Sequence, residues 1–454
     1  MGEYPIRQDW SNYRPSKAAL LPNRRRIAAR KRRNRRLIFC ALVLIIAGCF
    51  FWAYREDVSR SPDRPQTELP APKPAAAVID STFLKAWARK VNWNRPVPGA
   101  YKTLHDGELL SVETTLSPEL QPYLNQILDH LGQLDRGRPR YACMVVMETA
   151  TGRVIALGGY DDRHTEENLC LNHDFPAASL FKIVSAAGVI DAKQMSPSTQ
   201  LRFNGGKYTL YKRQLRNKNN RYTNRISLER AFAESVNPVF GKIGAIELQQ
   251  TLLDTYADKF GFNRDFSADL PVTPGRFTAG TDTYHWAELA CGFNQDTRIT
   301  PLHGVVLGAF PMCGGNLPEP VLIASVTGEA GAARYAPGKA DTAAPLMVSP
   351  QTAAALKKMM IATVRYGTAR KAFKKYRPYP LPAGLTIGGK TGSIGTGDGN
   401  DYRYDWFTGF ADLGSGKPAI AVAVLIAHQK YLGTRAAEWS RRLMSRYFET
   451  RQAG

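Results

Sequence analysis

Apolar and polar residues alternate with clear periods in the latter part of the chain. In "TTLSPELQPYLNQILDHLG", residues 114–132, apolar residues recur every three or four positions. This predicts an amphipathic helix with Ser117 as its N-cap and Pro118 in its first position. The next segment, "ACMVVMETATGRVIALGG", predicts two β-strands joined by a turn at residues 149–152.

A second pair of strands is predicted near the C-terminus. The segments "YDWFTGFADL" and "PAIAVAVLIAH" are separated by a glycine-containing turn, and "RAAEWSRRLMSRYFET" follows as a helix. Strands therefore lie near both ends of residues 114–454, with mostly helical sequence between them. This order favours one α+β domain with an antiparallel sheet over sequential βαβ units.

The longest apolar run predicts a transmembrane helix. "LIFCALVLIIAGCFFWAY", residues 37–54, contains no charged residue, and as a helix it would span roughly 27 Å. Arginines precede it, so the positive-inside rule places residues 1–36 in the cytoplasm and the rest of the chain outside. We favour an uncleaved anchor over a cleaved signal peptide. A lipidated Cys49, in "IAGC", is a further alternative.

Composition and charge narrow the function classes. With 44% hydrophobic residues, the chain is not of the disordered class. Much of its net charge of +22 lies in residues 1–36, which we interpret as a basic cytoplasmic tail rather than a nucleic-acid-binding surface. Residues 55–79 are rich in Pro and Ala, which predicts an extended linker. Residues 80–113 are too few for a second large domain and form a short membrane-proximal segment.

Cysteine and histidine spacing predicts no metal site. Outside the apolar run, Cys291 and Cys313 flank one segment and are the preferred disulfide pair, with free thiols an equally weighted alternative. Cys143, in "YACMVVME", is predicted to be a buried thiol in a strand. The histidines lack ligand spacing, and "CLNH", residues 170–173, is interpreted as an ordinary loop. We therefore expect neither a metal nor a cofactor.

The clearest candidate chemistry lies in "FPAASLFKIV", residues 175–184. Ser179 and Lys182 are three residues apart, so on a helix the lysine Nζ can reach the serine Oγ. A lysine can take the serine proton only if its pKa falls by about three units from ~10.4, which burial and a second nearby cation can supply. Taken alone, the pair is better explained as a lysine that extends from a core helix toward water.

Two further short motifs accompany this pair. "SVN", Ser235 to Asn237, precedes a proline that ends or kinks a helix, so the triplet lies on a turn that can face a cleft. "KTG", residues 390–392, lies in a strand-like segment unusually rich in glycine, which is typical of an edge strand closely approached by a ligand or peptide. The motifs S-x-x-K, S-x-N and K-T-G follow one another in this order.

Together, the three motifs resemble the active-serine signature of penicillin-binding proteins and serine β-lactamases. The resemblance covers roughly residues 114–447 and extends to "RITPLHGVVLGAFPMCGG", "RYGTARKA" and "WFTGFA". It implies an α+β domain in which a central antiparallel sheet is flanked by helices, preceded here by the one predicted transmembrane helix.

The resemblance implies a role for each motif residue. Ser179 would be the acylated nucleophile and Lys182 its proton acceptor. Ser235 would relay the proton to the leaving amine, and Lys390 would keep that relay electropositive. The remaining residues would bind substrate: Asn237 at an amide, Thr391 at the terminal carboxylate, and Gly392 and Ser393 along the strand, where the Ser393 N–H joins that of Ser179 in an oxyanion hole. Joint use of Lys390 and Thr391 requires the strand to be twisted or at the rim.

The implied reaction is acyl transfer by a peptidoglycan D,D-transpeptidase. It would cross-link stem peptides through a Ser179 acyl-enzyme, and β-lactam antibiotics would acylate the same serine. We expect a single-pass protein of the bacterial inner or cytoplasmic membrane, with a periplasmic or extracytoplasmic catalytic domain. Such a protein fits a cell-wall synthesis complex and has no nucleic-acid partner.

Other functions share these motifs. They are a class D-like β-lactamase, a D,D-carboxypeptidase, and a sensor that binds β-lactams or peptidoglycan without turnover. The stretch after Tyr54 is too short for a glycosyltransferase domain, so we expect a monofunctional protein. A basic insert, residues 211–225, is interpreted as a solvated loop in preference to a contact with acidic cell-wall polymers.

Overall fold

Strands from both ends of the domain meet in one sheet. The computed structural model describes residues 79–164, 167–267, 269–337, 346–374, 379–396, 402–414 and 418–450. Its strands are β1 (Ala100–His105), β2 (Glu108–Thr114), β3 (Tyr141–Glu148), β4 (Val154–Asp161), β5 (Phe175–Pro176), β6 (Gln200–Phe203), β7 (Asn224–Ser227), β8 (Arg298–Ile299), β9 (Ile323–Thr327), β10 (Ala333–Tyr335), β11 (Thr386–Gly395), β12 (Arg403–Asp412) and β13 (Ile420–His428).

Helices fill most of the chain between these strands. They are α1 (Ser81–Ala88), α2 (Leu120–Gly132), α3 (Lys182–Lys193), α4 (Lys212–Leu215), α5 (Leu228–Ala233), α6 (Asn237–Lys242), α7 (Gln249–Lys259), α8 (Thr283–Cys291), α9 (Pro301–Ala309), α10 (Pro350–Arg365) and α11 (Ala436–Thr450). Short 3₁₀ turns lie at Ala178–Phe181, Phe310–Met312 and Glu329–Gly331, and a π-helix at Ile243–Leu248.

The central sheet has the order β11-β12-β13-β3-β4, and every pair in it is antiparallel. Both faces of this sheet are buried. Successive side chains of a strand point to opposite faces, so each central strand contributes to two core layers. In β13 one face carries Ala421, Ala423, Leu425 and Ala427, and the other carries Ile420, Val422, Val424 and Ile426. Helix α9 packs on the first face and α11 on the second. This arrangement confirms the α+β class with an antiparallel sheet flanked by helices.

A second antiparallel sheet, β1-β2-β9-β10, includes residues from the short membrane-proximal segment. Leu84, Trp87 and Trp93 of that segment are buried in the same core as the central sheet. Residues 1–78, which hold the predicted basic tail, transmembrane helix and nearly all of the linker, lie outside the described residues. Within the described residues, no helix combines the length and apolar character that crossing a membrane requires.

Two local predictions differ from the structure. Helix α2 begins at Leu120 rather than Pro118, although the Ser117 hydroxyl still accepts the Leu120 N–H at 3.1 Å. The preferred disulfide between Cys291 and Cys313 is wrong, because both are free thiols. The two sulfurs have different neighbours. Cys313 Sγ contacts the carbonyls of Thr149 and Ala309, whereas Cys291 Sγ contacts the carbonyl of Glu288. Cys143 is a buried thiol in β3, as predicted.

A buried carboxylate, Asp405, joins β12 to the start of α11 through a partly exposed arginine. Arg435 donates two hydrogen bonds to the Asp405 carboxylate, at 2.8 and 2.6 Å, and the Ala436 N–H donates a third at 2.8 Å. Burial opposes ionisation of Asp405, but the bonds from Arg435 outweigh it and lower the pKa of the carboxyl to about 2. Asp405 pairs in register with Ser393 of β11, so this anchor supports the strand beside the candidate site.

We expect Asp405→Asn to lower the free energy of unfolding by about 1.5–3 kcal/mol at pH 7, because the charge-assisted hydrogen bonds that the buried carboxylate accepts from Arg435 and the Ala436 N–H are weakened. The folded-state pKa lies below the usual value of about 3.9, so the stabilisation is present above that value and is lost as pH falls toward 2. Chemical unfolding at pH 7 and pH 3 measures both effects.

The matched control is Asp412→Asn, also on β12. Its carboxylate lies 3.5 Å from Lys357 in a partly exposed pair, so the substitution should cost less than about 1 kcal/mol. Equal losses for the two variants would contradict a special role for Asp405.

Candidate active site

Ser179 lies in a tight turn between β5 and α3. The turn Ala178–Phe181 is 3₁₀, and the α-helix begins at Lys182. Ala178 has φ +49°, a left-handed conformation that is unfavourable for alanine. A Cβ at Gly292 would lie 1.9 Å from the Ala178 carbonyl oxygen, so only glycine permits that close approach. The chain therefore holds Ser179 in a constrained position, partly exposed to solvent.

Lys182 lies directly beneath Ser179. Its Nζ is 2.8 Å from Ser179 Oγ, 2.8 Å from Asn237 Oδ1 and 2.6 Å from the Cys291 carbonyl oxygen. The side chain is 0% exposed, and within the described residues its hydrogen-bond partners are all neutral oxygens. Burial lowers the pKa of Lys182 to about 8. At a pH near neutrality, an appreciable fraction of the amine is therefore uncharged and able to accept a proton.

Ser235 and Lys390 form a second hydroxyl–amine pair. Lys390 Nζ lies 3.0 Å from Ser235 Oγ and 2.9 Å from the Thr391 carbonyl oxygen. Ser235 has φ +57° and is buried in the turn between α5 and α6. Burial, followed by repulsion from the Lys182 amine, holds the pKa of Lys390 well below its usual value. The structure thus brings the four predicted catalytic residues into two adjacent pairs.

Asn237 links the site to a neighbouring loop. While its Oδ1 lies against Lys182, its Nδ2 donates to the Tyr208 carbonyl at 3.0 Å, and its backbone N–H donates to the Lys207 carbonyl at 2.7 Å. Both ends of the amide are therefore engaged within the protein. A substrate amide would have to share or replace the contact with Tyr208.

The other predicted substrate-binding residues lie on β11, an edge strand of the central sheet. Lys390 is fully buried, whereas Thr391 is partly exposed. A Cβ at Gly392 would lie 3.3 Å from Ala178 Cβ, so the strand passes directly beside the turn that holds Ser179. Ser393 Oγ accepts a hydrogen bond from Arg403 Nε at 2.9 Å. The rim position of β11 lets Lys390 and Thr391 serve one site from opposite sides of the strand.

Sequence reasoning missed two contributors to the site. One is the Cys291 carbonyl, which contacts Lys182, because a backbone carbonyl has no residue signature. The other is Thr368, whose Oγ1 lies 2.5 Å from Thr391 Oγ1 and whose N–H donates to the Ala233 carbonyl at 3.0 Å. Thr368 therefore connects β11 to the turn before Ser235. It lies in "RYGTARKA", which was noted as a motif but given no role.

Within the described residues, no group of three or more His, Cys, Asp or Glu side chains could hold a metal ion. His303, in α9, is buried and lies 2.8 Å from the Phe260 carbonyl oxygen through its Nε2. Burial lowers the pKa of His303 to about 4, so it is neutral near pH 7.

Comparisons with known proteins agree with this geometry. Residues 142–445 match the family described as the penicillin binding protein transpeptidase domain. Penicillin-binding protein 4 of Bacillus subtilis is 25% identical over 308 residues, which cover 67% of this chain and 43% of that protein. The chain thus spans less than half the length of this relative.

Solved structures share the fold. Penicillin-binding protein A of Mycobacterium tuberculosis superposes with a TM-score of 0.58 at 22% identity, covering 74% of this chain and 80% of that one. The D,D-transpeptidase domain of a peptidoglycan glycosyltransferase from Eggerthella lenta gives 0.59 at 21% identity, covering 76% and 84%. With a matching family domain over more than half its length, the chain belongs to the penicillin-binding protein transpeptidase family.

Proposed function

We propose that this chain is a membrane-anchored peptidoglycan D,D-transpeptidase whose acyl-enzyme forms on Ser179. The observation that carries the proposal is the 2.8 Å contact between Ser179 Oγ and the amine of Lys182, whose pKa is about 8. The predicted span at residues 37–54 would hold the domain on the outer side of a bacterial cytoplasmic membrane. Peptidoglycan stem peptides ending in D-Ala-D-Ala would be the substrates.

The acylation step follows from the two hydroxyl–amine pairs. Ser179 Oγ attacks the carbonyl of the penultimate D-alanine while Lys182 Nζ accepts the hydroxyl proton. The C–N bond then breaks, and Ser235 Oγ delivers a proton to the departing D-alanine amine, with Lys390 beside it. Backbone N–H groups of Ser179 and Ser393 would stabilise the oxyanion, a contribution of about 3–4 kcal/mol. An amine of a second stem peptide then attacks the ester and gives a proton to Ser235 Oγ as the cross-link forms, while Lys182 Nζ returns its proton to the departing Ser179 oxygen.

The family's β-lactam chemistry supports the same serine as the acylation site. Penicillin-binding protein A of Mycobacterium tuberculosis forms acyl-enzyme complexes with imipenem and penicillin G. β-Lactams would therefore inhibit this chain by acylating Ser179. A class D-like β-lactamase would need a carboxylate attached to the lysine. Here Lys182 Nζ lies within 2.8 Å of three oxygens in a fully buried position, which leaves little room for that group.

We expect a fluorescent penicillin to label the full-length protein in detergent durably, and Ser179→Ala to abolish the labelling. The matched control is Ser185→Ala, one turn further along α3, which removes a hydroxyl that donates to the Ala290 carbonyl at 2.8 Å but should keep the label. With a stem-peptide mimic and an acceptor amine, the wild type should release D-alanine and form an amine-dependent product.

The remaining functions give different outcomes in this assay. Rapid loss of label with hydrolysed drug would indicate a β-lactamase. Hydrolysis of the mimic regardless of the added amine would indicate a carboxypeptidase, and durable label without product would indicate a sensor.

We expect the rate constant of penicillin acylation to rise with pH and to level off above about 8. Lys182 accepts the proton only when neutral, so below its pKa the rate should fall about tenfold per pH unit. Lys182→Arg should lower the plateau rate by at least about 10²-fold, because arginine stays charged. Lys193→Arg, at the end of the same helix, is the matched control and should leave the profile unchanged. A flat wild-type profile between pH 6 and 9 would argue against Lys182 as the base.

Thr368 is expected to act as a positioning residue. Thr368→Val removes the hydroxyl next to Thr391 Oγ1 and should reduce acylation efficiency about tenfold, equivalent to one lost hydrogen bond of about 1.4 kcal/mol. Thr368→Ser restores the hydroxyl and should recover most of the efficiency. Separate measurement of binding and acylation rate identifies the affected step, and we expect weaker binding. No recovery in the serine variant would assign the effect to packing instead.

A further inference from the structure

The loop between β6 and β7 carries a concentrated positive charge beside the site. Residues 204–225, named here the basic lip, contain seven Lys or Arg residues and no Asp or Glu. All seven side chains are exposed: Lys207, Lys212, Arg213, Arg216, Lys218, Arg221 and Arg225. The lip is closed at its base by the antiparallel pair β6 and β7 and includes the short helix α4.

The basic lip is joined directly to the catalytic groups. Asn237, which contacts Lys182 through Oδ1, donates to the carbonyls of Lys207 and Tyr208. The Lys207 amine is paired with Glu234, the residue before Ser235. A ligand chain that leaves the catalytic cleft on the Asn237 side therefore meets the lip first.

The lip is an ordered platform rather than a freely solvated loop. Gln214 is buried at its centre, where Oε1 accepts the Tyr211 N–H at 2.9 Å and Nε2 donates to the Asn204 carbonyl at 2.9 Å. Tyr284 OH donates to the Leu210 carbonyl at 2.9 Å and fixes the lip to α8. These bonds fix the backbone from which the outer side chains extend.

The outer charges of the lip are not neutralised by the protein. Among the described residues, Lys207 is the lip cation that pairs with a carboxylate, and the other six form no salt bridge. Two of them stack on exposed tyrosines: the guanidinium of Arg213 lies 4.7 Å from the Tyr211 ring centre, and that of Arg221 lies 4.7 Å from the Tyr222 ring centre. Tyr208 adds a third ring, 63% exposed. Flat rings and guanidinium groups suit sugar faces and carboxylates.

Two clefts accompany the lip. One, of about 210 Å³, is lined by residues that include Gly205, Arg213 and Lys218. The other, of about 450 Å³, lies between the lip and α6 and is lined by residues that include Lys218 and Lys242. Lys218 borders both clefts, so anionic groups of one extended ligand could occupy both at once.

We propose that the basic lip binds a carboxylate-bearing peptidoglycan strand whose stem peptide occupies the catalytic cleft. The inference rests on the proposed function, since it assigns the lip to the same substrate. A peptidoglycan strand is favoured over a phosphate-rich wall polymer because the lip is joined to the catalytic groups through Asn237, so a substrate that leaves the cleft on that side meets the lip. Tyrosine rings would stack on its sugars, and the cations would pair with its free carboxylates.

The test is co-sedimentation of the full-length protein with insoluble peptidoglycan at low salt. The lip variant is Arg213→Gln with Arg221→Gln, which removes the two cations that stack on Tyr211 and Tyr222. We expect it to bind about fivefold to tenfold more weakly, since an exposed charge pair contributes only modestly to affinity. The difference should shrink at high salt, because ions screen exposed charges.

The matched control is Arg136→Gln with Lys430→Gln. These two cations also stack on one exposed tyrosine, Tyr431, at 4.4 and 5.7 Å from its ring centre, but they belong to the chain before β3 and after β13. Control and lip variant keep the basic residues 1–36, so binding by that tail contributes equally to both. We expect the control to bind within about twofold of wild type. Melting temperatures within a few degrees of wild type verify that each variant is folded.

Two results would overturn the proposal. One is equal binding by the lip variant and the control. The other is a lip-dependent affinity for poly(glycerol phosphate) that exceeds the affinity for peptidoglycan, which would assign the lip to a phosphate polymer. If penicillin does not label the wild type at Ser179, the proposed function fails. If labelling is intact but sedimentation does not depend on the lip, only the lip proposal fails.

Discussion

The active site depends on keeping two lysine amines out of water without giving either of them a carboxylate. Lys182 and Lys390 are both fully buried, and their described hydrogen-bond partners are hydroxyl, amide and carbonyl oxygens. Burial without an anion destabilises the charged ammonium form relative to the neutral amine, and this lowers the pKa of each lysine. The Phe240 ring lies near the Lys182 amine and the Phe232 ring near the Lys390 amine, and both rings add apolar surroundings. The close packing around Lys182 and Lys390 therefore favours their neutral, proton-accepting forms.

Much of the fold could be predicted because its strands and helices have strong local periods. The hairpin of β3 and β4 and the pairing of β12 with β13 join neighbouring segments, and the apolar pattern alone indicates them. The sheet β1-β2-β9-β10 was not predicted. Its β1–β2 hairpin was missed although the Asp106-Gly107 turn is a local signal, and β2 pairs with β9 across some two hundred residues. Periodicity indicates that a strand exists but does not specify a distant partner. The preferred disulfide between Cys291 and Cys313 failed for a similar reason, because closeness along the chain does not decide whether two sulfurs meet in the fold.

The candidate site shows a similar division. Ser179, Lys182, Ser235 and Lys390 could be found because their chemistry is carried by side-chain type and spacing. The Cys291 carbonyl could not, since every residue has one and only the fold decides which carbonyl reaches Lys182. Asn237 was predicted as a substrate contact, but its bonds to Lys207 and Tyr208 arise from the course of the loop between β6 and β7, which precedes it in the chain. Tertiary placement, rather than residue identity, decides these contacts.

Backbone strain flanks both hydroxyls, and the surrounding packing maintains it. Ala178 and Ser235 have positive φ angles, which cost of order 1–2 kcal/mol each in residues with a Cβ. Each is held by a close glycine contact: Gly292 against the Ala178 carbonyl, and Gly367 against the Ala233 carbonyl, two residues before Ser235. A side chain at either glycine would push the strained turn away. Because the doubly buried sheet supplies the opposing stability, the hydroxyls are held in place before substrate binds, and binding energy need not be used to orient them.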